Sequence, residues 1–171
     1  MQVFKLVGMM KAINVLLHHT ALAYTDDQCG RYADHDMLII NKNAKVRDAI
    51  RLFRQLAEDA EYHDALFVVD RTGRYVGQLH GTRLLGAPSH LPVVEYIDEE
   101  APVVEGEMDL DTGSDIVARS GYSALAVVDD ESKLLGRISI GEALENVRRS
   151  LEGQFMHTAG LDENEDLFAP V

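Results

Sequence analysis

The 171-residue chain has a single cysteine, few basic side chains and no apolar run of the length a membrane span needs. One cysteine, Cys29, excludes an internal disulfide and a thiolate zinc cluster, which is the usage of a reduced, cytosolic protein. No stretch approaches the roughly 18 to 20 apolar residues that cross a bilayer, so the chain reads as soluble. Only 16 Lys and Arg stand against 29 Asp and Glu, a formal charge of -13. That charge repels phosphate backbones and anionic membrane surfaces and attracts cations, so nucleic acid is not an expected partner.

Catalytic patterns are missing too. The histidines at 18, 19, 35, 63, 80, 90 and 157 form no His-Glu-x-x-His pair, no Gly-rich phosphate loop occurs, and Ser123 lacks a nucleophile-elbow setting. Cys29 has acidic neighbours that disfavour its thiolate. The expectation is that the chain is not an enzyme. The first 23 residues are apolar and end in Ala21-Leu22-Ala23, but no basic run opens them, and Lys11 and His18-His19 interrupt them. A signal peptide is therefore not expected. Val3, Leu6, Val7, Met10, Ile13 and Leu17 instead follow the spacing of an amphipathic helix that packs on something.

What the chain does have is an internal repeat. Ala65-Leu66-Phe67-Val68-Val69-Asp70 through Gly77-Gln78-Leu79 aligns without gaps on Ala124-Leu125-Ala126-Val127-Val128-Asp129 through Gly136-Arg137-Ile138, at an offset of 59 residues. Each copy reads as a buried strand, a four-residue polar turn opening with Asp, and a second strand carrying Gly, which is a β-hairpin. A helix precedes each hairpin: Val46 to Ala60, with Val46, Ala49, Ile50, Phe53 and Leu56 on one face, and roughly Asp111 to Ser120. Helical stretches follow, a short one near Thr82 to Leu85 and a long one from Gly141 to about Leu151. The 46% hydrophobic content can fill an ordinary core, yet neither small sheet can bury both faces alone. The two copies are expected to pack against each other. Prolines 88, 92 and 102 mark the junction between them.

Two such hairpins about sixty residues apart resemble the tandem CBS domains, or Bateman module, over residues 36 to 152. The resemblance implies an α/β fold of two β-α-β-β-α repeats, with an N-terminal helical segment and linker at 1–34, repeats at 35–91 and 92–152, and a link at 153–171. It implies a ligand-sensing, regulatory role and a homodimer. In nucleotide-binding members the Gly is followed by Ser or Thr and, three residues later, by an Asp that meets the ribose. The second copy offers Gly136, Ser139 and Glu142, so Ser139 and Glu142 are the candidates for an adenine nucleotide. The first copy has His80 and Arg83 at those places.

The flanks, Tyr24-Thr25-Asp26-Asp27-Gln28-Cys29-Gly30-Arg31 and Ala159 to Val171, are similar to those of MgtE-type magnesium transporters. This likeness implies the regulatory region of a transporter on the cytoplasmic face of the membrane, with a transmembrane domain of the same full-length chain as its partner and Mg2+ as its ligand. Mg2+ favours one or two carboxylates and keeps much of its water. The implied ligands are Glu142 and Glu145 on the last helix; apart from the resemblance, Asp111 and Asp115, with Asp109, are candidates to meet the other lobe through hydrated metal. Where that family has acids, this chain has Arg148, Arg149 and Gln154. Each candidate also has a plainer reading: Glu145 as a helical ion pair with Arg149, Asp111 as a cap or first-turn residue. Asp162 to Asp166 fails as an EF-hand loop, because Leu167 stands where Gly is needed. Besides the transporter reading, a nucleotide-sensing module and a degenerate dimerisation module stay open.

Overall fold

The computed structural model describes residues 22–56 and 64–165. The N-terminal stretch from Val3 to Leu17, the part of the first expected helix beyond Leu56, and the last six residues lie outside the described residues.

The first repeat runs β1 (Ile39–Asn41), α1 (Val46–Leu56), β2 (Ala65–Val69) and β3 (Tyr75–His80), and ends in a single 3-10 turn, Gly81–Leu84. The second runs β4 (Val103–Glu105), α2 (Leu110–Ser120), β5 (Ala124–Val128), β6 (Leu134–Ser139) and α3 (Ile140–Glu165). Among the described residues the strands form two three-stranded sheets, β1-β2-β3 and β4-β5-β6. In each, the helix carries the chain between a parallel pair and the hairpin supplies the antiparallel one. The sequence expectation of an α/β chain with two like repeats is met.

Local chemistry explains the turns and helix ends. Asp70 Oδ1 accepts from the backbone N–H groups of Thr72 and Arg74, and Asp129 Oδ1 from those of Glu131 and Lys133, so each opening Asp builds its own Asx-type turn. The fourth turn residue has positive φ in both copies, +85° at Gly73 and +63° at Ser132. Helix α2 is capped by Asp109, whose side chain accepts from Thr112 N–H, and stops at Gly121 in the left-handed conformation.

The two repeats face each other about a local two-fold, and residues 59 apart meet across it. Arg74 and Lys133 form a bridge between the hairpin tips, and Ser123 Oγ donates to Asp64 Oδ1 at 2.6 Å. Between them lies one of three apolar cores formed among the described residues, where Phe67, Val69 and Tyr75 pack with their counterparts Ala126, Val128 and Leu134. The expected packing of repeat on repeat is therefore present.

The other two cores are completed by borrowed chain. Residues 91–98, between the repeats, close the first lobe, with Val93 and Ile97 in its core and Asp98 bridged to Gln78. Residues 24–34, before the first repeat, close the second, with Cys29 and Ala33 in its core and Asp34 bridged to Arg137. Glycine is needed where these segments cross the hairpins. A Cβ on Gly77 would stand 2.6 Å from Asp98 O, and one on Gly136 2.8 Å from Asp34 O. That close approach is the physical reason for the repeated Gly in the motif.

Candidate functional site

The residues singled out by sequence gather at the junction of β6, α2 and α3. Ser139 ends β6 and is followed at once by α3, and its hydroxyl and backbone N–H both donate to Glu142 Oε2, at 2.7 and 2.9 Å. Glu142 N–H in turn donates to Ser139 Oγ at 3.2 Å. This is a reciprocal capping box, which satisfies donors at the helix start and places a carboxylate at its positive end.

One turn on, Glu145 accepts from Arg148 at 2.7 Å and lies 4.0 Å from Arg149. Arg148, which also donates to Glu152, holds the Glu145 carboxyl below its ordinary range. The helical ion pair expected with Arg149 is thus made chiefly with Arg148. Across the groove, Asp111 sits in the first turn of α2 and accepts from Asn146 Nδ2 at 2.9 Å and from Ser150 Oγ at 3.1 Å. Asn146 also donates to the fully buried Ser114. These bonds clamp α3 onto α2. Asp115 pairs with Arg119 on its own helix at 2.7 Å.

A groove of about 210 Å³ results, lined by Glu142, Glu145, Asn146 and Arg149 over a floor of Leu110 and Ile138. The structure brings Glu142 and Glu145 together on its rim and Asp111 next to it through Asn146. Asp115 does not line it. Each carboxylate already has a partner in the chain, and among the described residues no three His, Cys, Asp or Glu side chains form a metal cage. A hydrated cation would have to compete with these partners for the Glu142 and Glu145 carboxylates.

The CBS domain family matches this chain at residues 29–90 and 93–149, the two lobes and the segments that close them. The chain belongs to the CBS domain family. Magnesium transporter MgtE of Thermus thermophilus is 26% identical over 122 residues, 71% of this chain and 27% of that protein. The MgtE of Bacillus subtilis is 23% identical over 146 residues, 85% and 31% respectively. The CBS pair thus spans less than a third of the length of these curated relatives. Among solved structures, the cystathionine beta-synthase pair domain of a provisionally named Mg2+ transporter from Shewanella oneidensis superposes with a TM-score of 0.73. It is 26% identical, over 80% of this chain and 78% of that one. The cytosolic domain of the Mg2+ channel MgtE in complex with ATP gives 0.66 at 25% identity, over 74% and 51%.

The CBS pair is asymmetric at the positions the resemblance points to. Where the second repeat has the Ser139–Glu142 cap, the first has His80, which reaches Tyr122 of the other repeat, and Arg83, which reaches the segment that closes its own lobe. The His80 ring lies 5.9 Å from that of Tyr122, Tyr122 O–H donates to Asp98 at 3.0 Å, and Arg83 donates to Ile97 O and lies 3.7 Å from Asp98. The Tyr122 hydrogen bond holds the Asp98 carboxyl below its ordinary range. Sequence reading missed this cluster, because its members come from three separate segments. The offset of 59, which sets His80 and Arg83 against Ser139 and Glu142, was the available clue.

Cys29 is fully buried with its Sγ 3.4 Å from Asp109 O. Burial first, and Asp109 second, push its thiol up to about 11. It is a core side chain, which fits the poor nucleophile expected from sequence. Among the described residues no helix is long and apolar enough to cross a membrane.

Proposed function

We propose that this CBS pair is the regulatory region of an MgtE-type magnesium transporter, lying on the cytoplasmic face of the membrane, with Mg2+ as its signal and the transmembrane domain of the same full-length chain as its target. The supporting observation is the match to MgtE proteins over most of this chain, combined with α3, which runs 26 residues from the second lobe. At 1.5 Å per residue that helix is about 39 Å long, enough to carry a displacement out of the CBS pair.

Electrostatics supplies a mechanism. Two copies at -13 each repel, and a divalent cation at the Glu142–Glu145 rim lowers that repulsion and favours a compact homodimer, which in turn restrains α3. Arg148 and Arg149 compete with the ion for Glu145, so the site is expected to respond only at high Mg2+.

The test is thermal unfolding across a Mg2+ titration at constant ionic strength. Saturating ligand at a hundredfold excess over Kd stabilises the folded state by about 2.7 kcal/mol. A saturable rise in Tm that shrinks in Glu145→Gln supports the reading, and a flat response refutes Mg2+ as the ligand. Glu145 is the better substitution, since Glu142 also caps α3.

A second reading takes an adenine nucleotide as the ligand, with Ser139 and Glu142 on its ribose. Its support is the ATP complex of the similar MgtE cytosolic domain. On this reading the ribose hydroxyls displace the Ser139–Glu142 bonds, so ATP alone raises Tm and Ser139→Ala abolishes the rise.

A further inference from the structure

The repeat that shapes the fold also carries a reversal of charge. Strand β1 corresponds to β4 and α1 to α2 at an offset of 64 residues, with Ile39 matching Val103 and Val46 matching Leu110. At that offset Lys45, Arg47 and Arg51 stand where the second repeat has Asp109, Asp111 and Asp115, and all six residues are exposed. Asp48 and Arg54 complete the charges of the first stretch and Arg119 those of the second, so residues 45–56 are net positive and residues 109–120 net negative. Beside α2, the arginines of α3 add no free positive face, because Arg148 and Arg149 lie against Glu145 and Glu152 of the same helix. The contrast holds along the whole chain: up to Asp98 there are 12 acidic and 11 basic side chains, and after it 17 and 5.

Opposite charges at equivalent positions make a surface complementary to itself turned end for end. A second copy whose first lobe meets this second lobe sets Lys and Arg against Asp along the paired helices. Placed like on like, it sets base against base and acid against acid. Arg47 and Arg51 make no ion pair among the described residues, whereas Asp115 pairs with Arg119 of its own helix. Exposed ion pairs are weak singly, but a bare apolar side chain accompanies each helix as well. Leu85, next to the turn packed on α1, is 87% exposed, and its counterpart Leu144, on the helix packed on α2, is 54% exposed.

We infer that copies of this chain associate head to tail, with the face of α1 that bears Arg47 and Arg51 in one copy seated against the face of α2 that bears Asp111 and Asp115 in the other. Made reciprocally by two copies, the contact closes an antiparallel dimer. The inference rests on the homodimer of the proposed function and gives it an orientation, but it needs no Mg2+.

Sedimentation equilibrium of the whole chain in EDTA tests it, with circular dichroism to verify that each variant is folded. The parent is expected to self-associate, and to do so more weakly as salt rises. Arg51→Glu and Asp115→Arg, both at exposed positions, should each raise the dissociation constant at least about tenfold, since each turns attraction into repulsion at both symmetry-related contacts. The double variant exchanges the two signs and should return the constant to within about threefold of the parent. In a like-on-like arrangement each single variant still leaves like facing like, and the constant hardly moves. That result overturns the inference. So do a double variant as weak as the single ones, a parent that stays monomeric, and association that appears only when Mg2+ is added, which would place acid against acid with the ion between. A Tm that does not respond to Mg2+ refutes the Mg2+ reading alone and leaves this contact standing.

Discussion

Gly113 and Cys29 offer a test of whether the segment ahead of the first repeat belongs to the core of the second. A Cβ on Gly113 would overlap Cys29 Sγ and stand 3.1 Å from Val104 Cγ1, and both neighbours are fully buried. Gly113→Ala gains about 1 kcal/mol of helix propensity, but overpacking a closed core costs about 1–3 kcal/mol. The net expectation is a loss of about 1 kcal/mol. Cys29→Ala alone removes one buried atom and leaves its space empty, for a loss of about 1–1.5 kcal/mol. In the double variant the methyl introduced at position 113 fills the space that Sγ vacates, so clash and cavity vanish together and stability returns close to that of the parent. The coupling is then about 2–3 kcal/mol, at the upper end of what contacting pairs give. Urea unfolding of all four proteins measures it, and each single variant should lose about 2–6 °C in Tm. Losses that add within about 0.5 kcal/mol would refute the seating of Cys29 against α2, and with it the placement of residues 24–34 in the second lobe.

Other expectations are simpler. Gly77→Ala brings a methyl against the backbone oxygen of Asp98, which cannot swing aside as a side chain could, so a loss of about 2–3 kcal/mol is expected in denaturant titration. Ser132 holds φ +63° where its counterpart Gly73 holds +85°; Ser132→Gly should therefore stabilise by up to about 1 kcal/mol, measured the same way. Because the folded chain keeps the Cys29 proton up to about 11, above the ordinary thiol value, the contribution of Cys29 is full below about pH 8.5 and is lost as pH rises toward 11; Cys29→Ala should flatten that part of the Tm-versus-pH curve. Asp109 titrates in the other direction. Its bond from Thr112 holds the carboxyl below the ordinary range, so Asp109→Ala should lower Tm clearly at pH 7 and by less near pH 3, where the parent has lost the same charge.

Elements set by near neighbours in sequence were legible. The hairpins follow from a run of buried residues broken by an Asp turn, and α2, expected from about Asp111 to Ser120, runs Leu110–Ser120. Helix α3 is longer than its sequence pattern suggests, which ends at about Leu151 with Gly153 just beyond. Gly153 and Gly160 cost about 1 kcal/mol each and no Pro interrupts residues 151–165, so the helix continues to Glu165. The expected helix near Thr82 is a 3-10 turn, Gly81–Leu84, with no side-chain cap at His80. What could not be read were pairings over great sequence distance, such as Gln28 with Asp109 and Asp34 with Arg137. No local pattern encodes them. The site was legible in part. Ser139 and Glu142, singled out as ribose-side candidates, do sit together, as a helix cap, but the closure of Asp111 by Asn146 and Ser150 depends on how α2 and α3 come together.

The way each lobe is closed has a consequence for dissection of the molecule. Residues 91–98 lie on the first hairpin although they lead into the second repeat, and residues 24–34 lie on the second hairpin although they lead into the first. Cleaving the loop around Pro88 would therefore yield two fragments, each keeping the segment that closes the other's lobe and lacking its own. Such halves are poor candidates for separate folding and good ones for reassembly. Mixed together, they should restore the parent fold, whereas either half alone should aggregate through its uncovered hairpin.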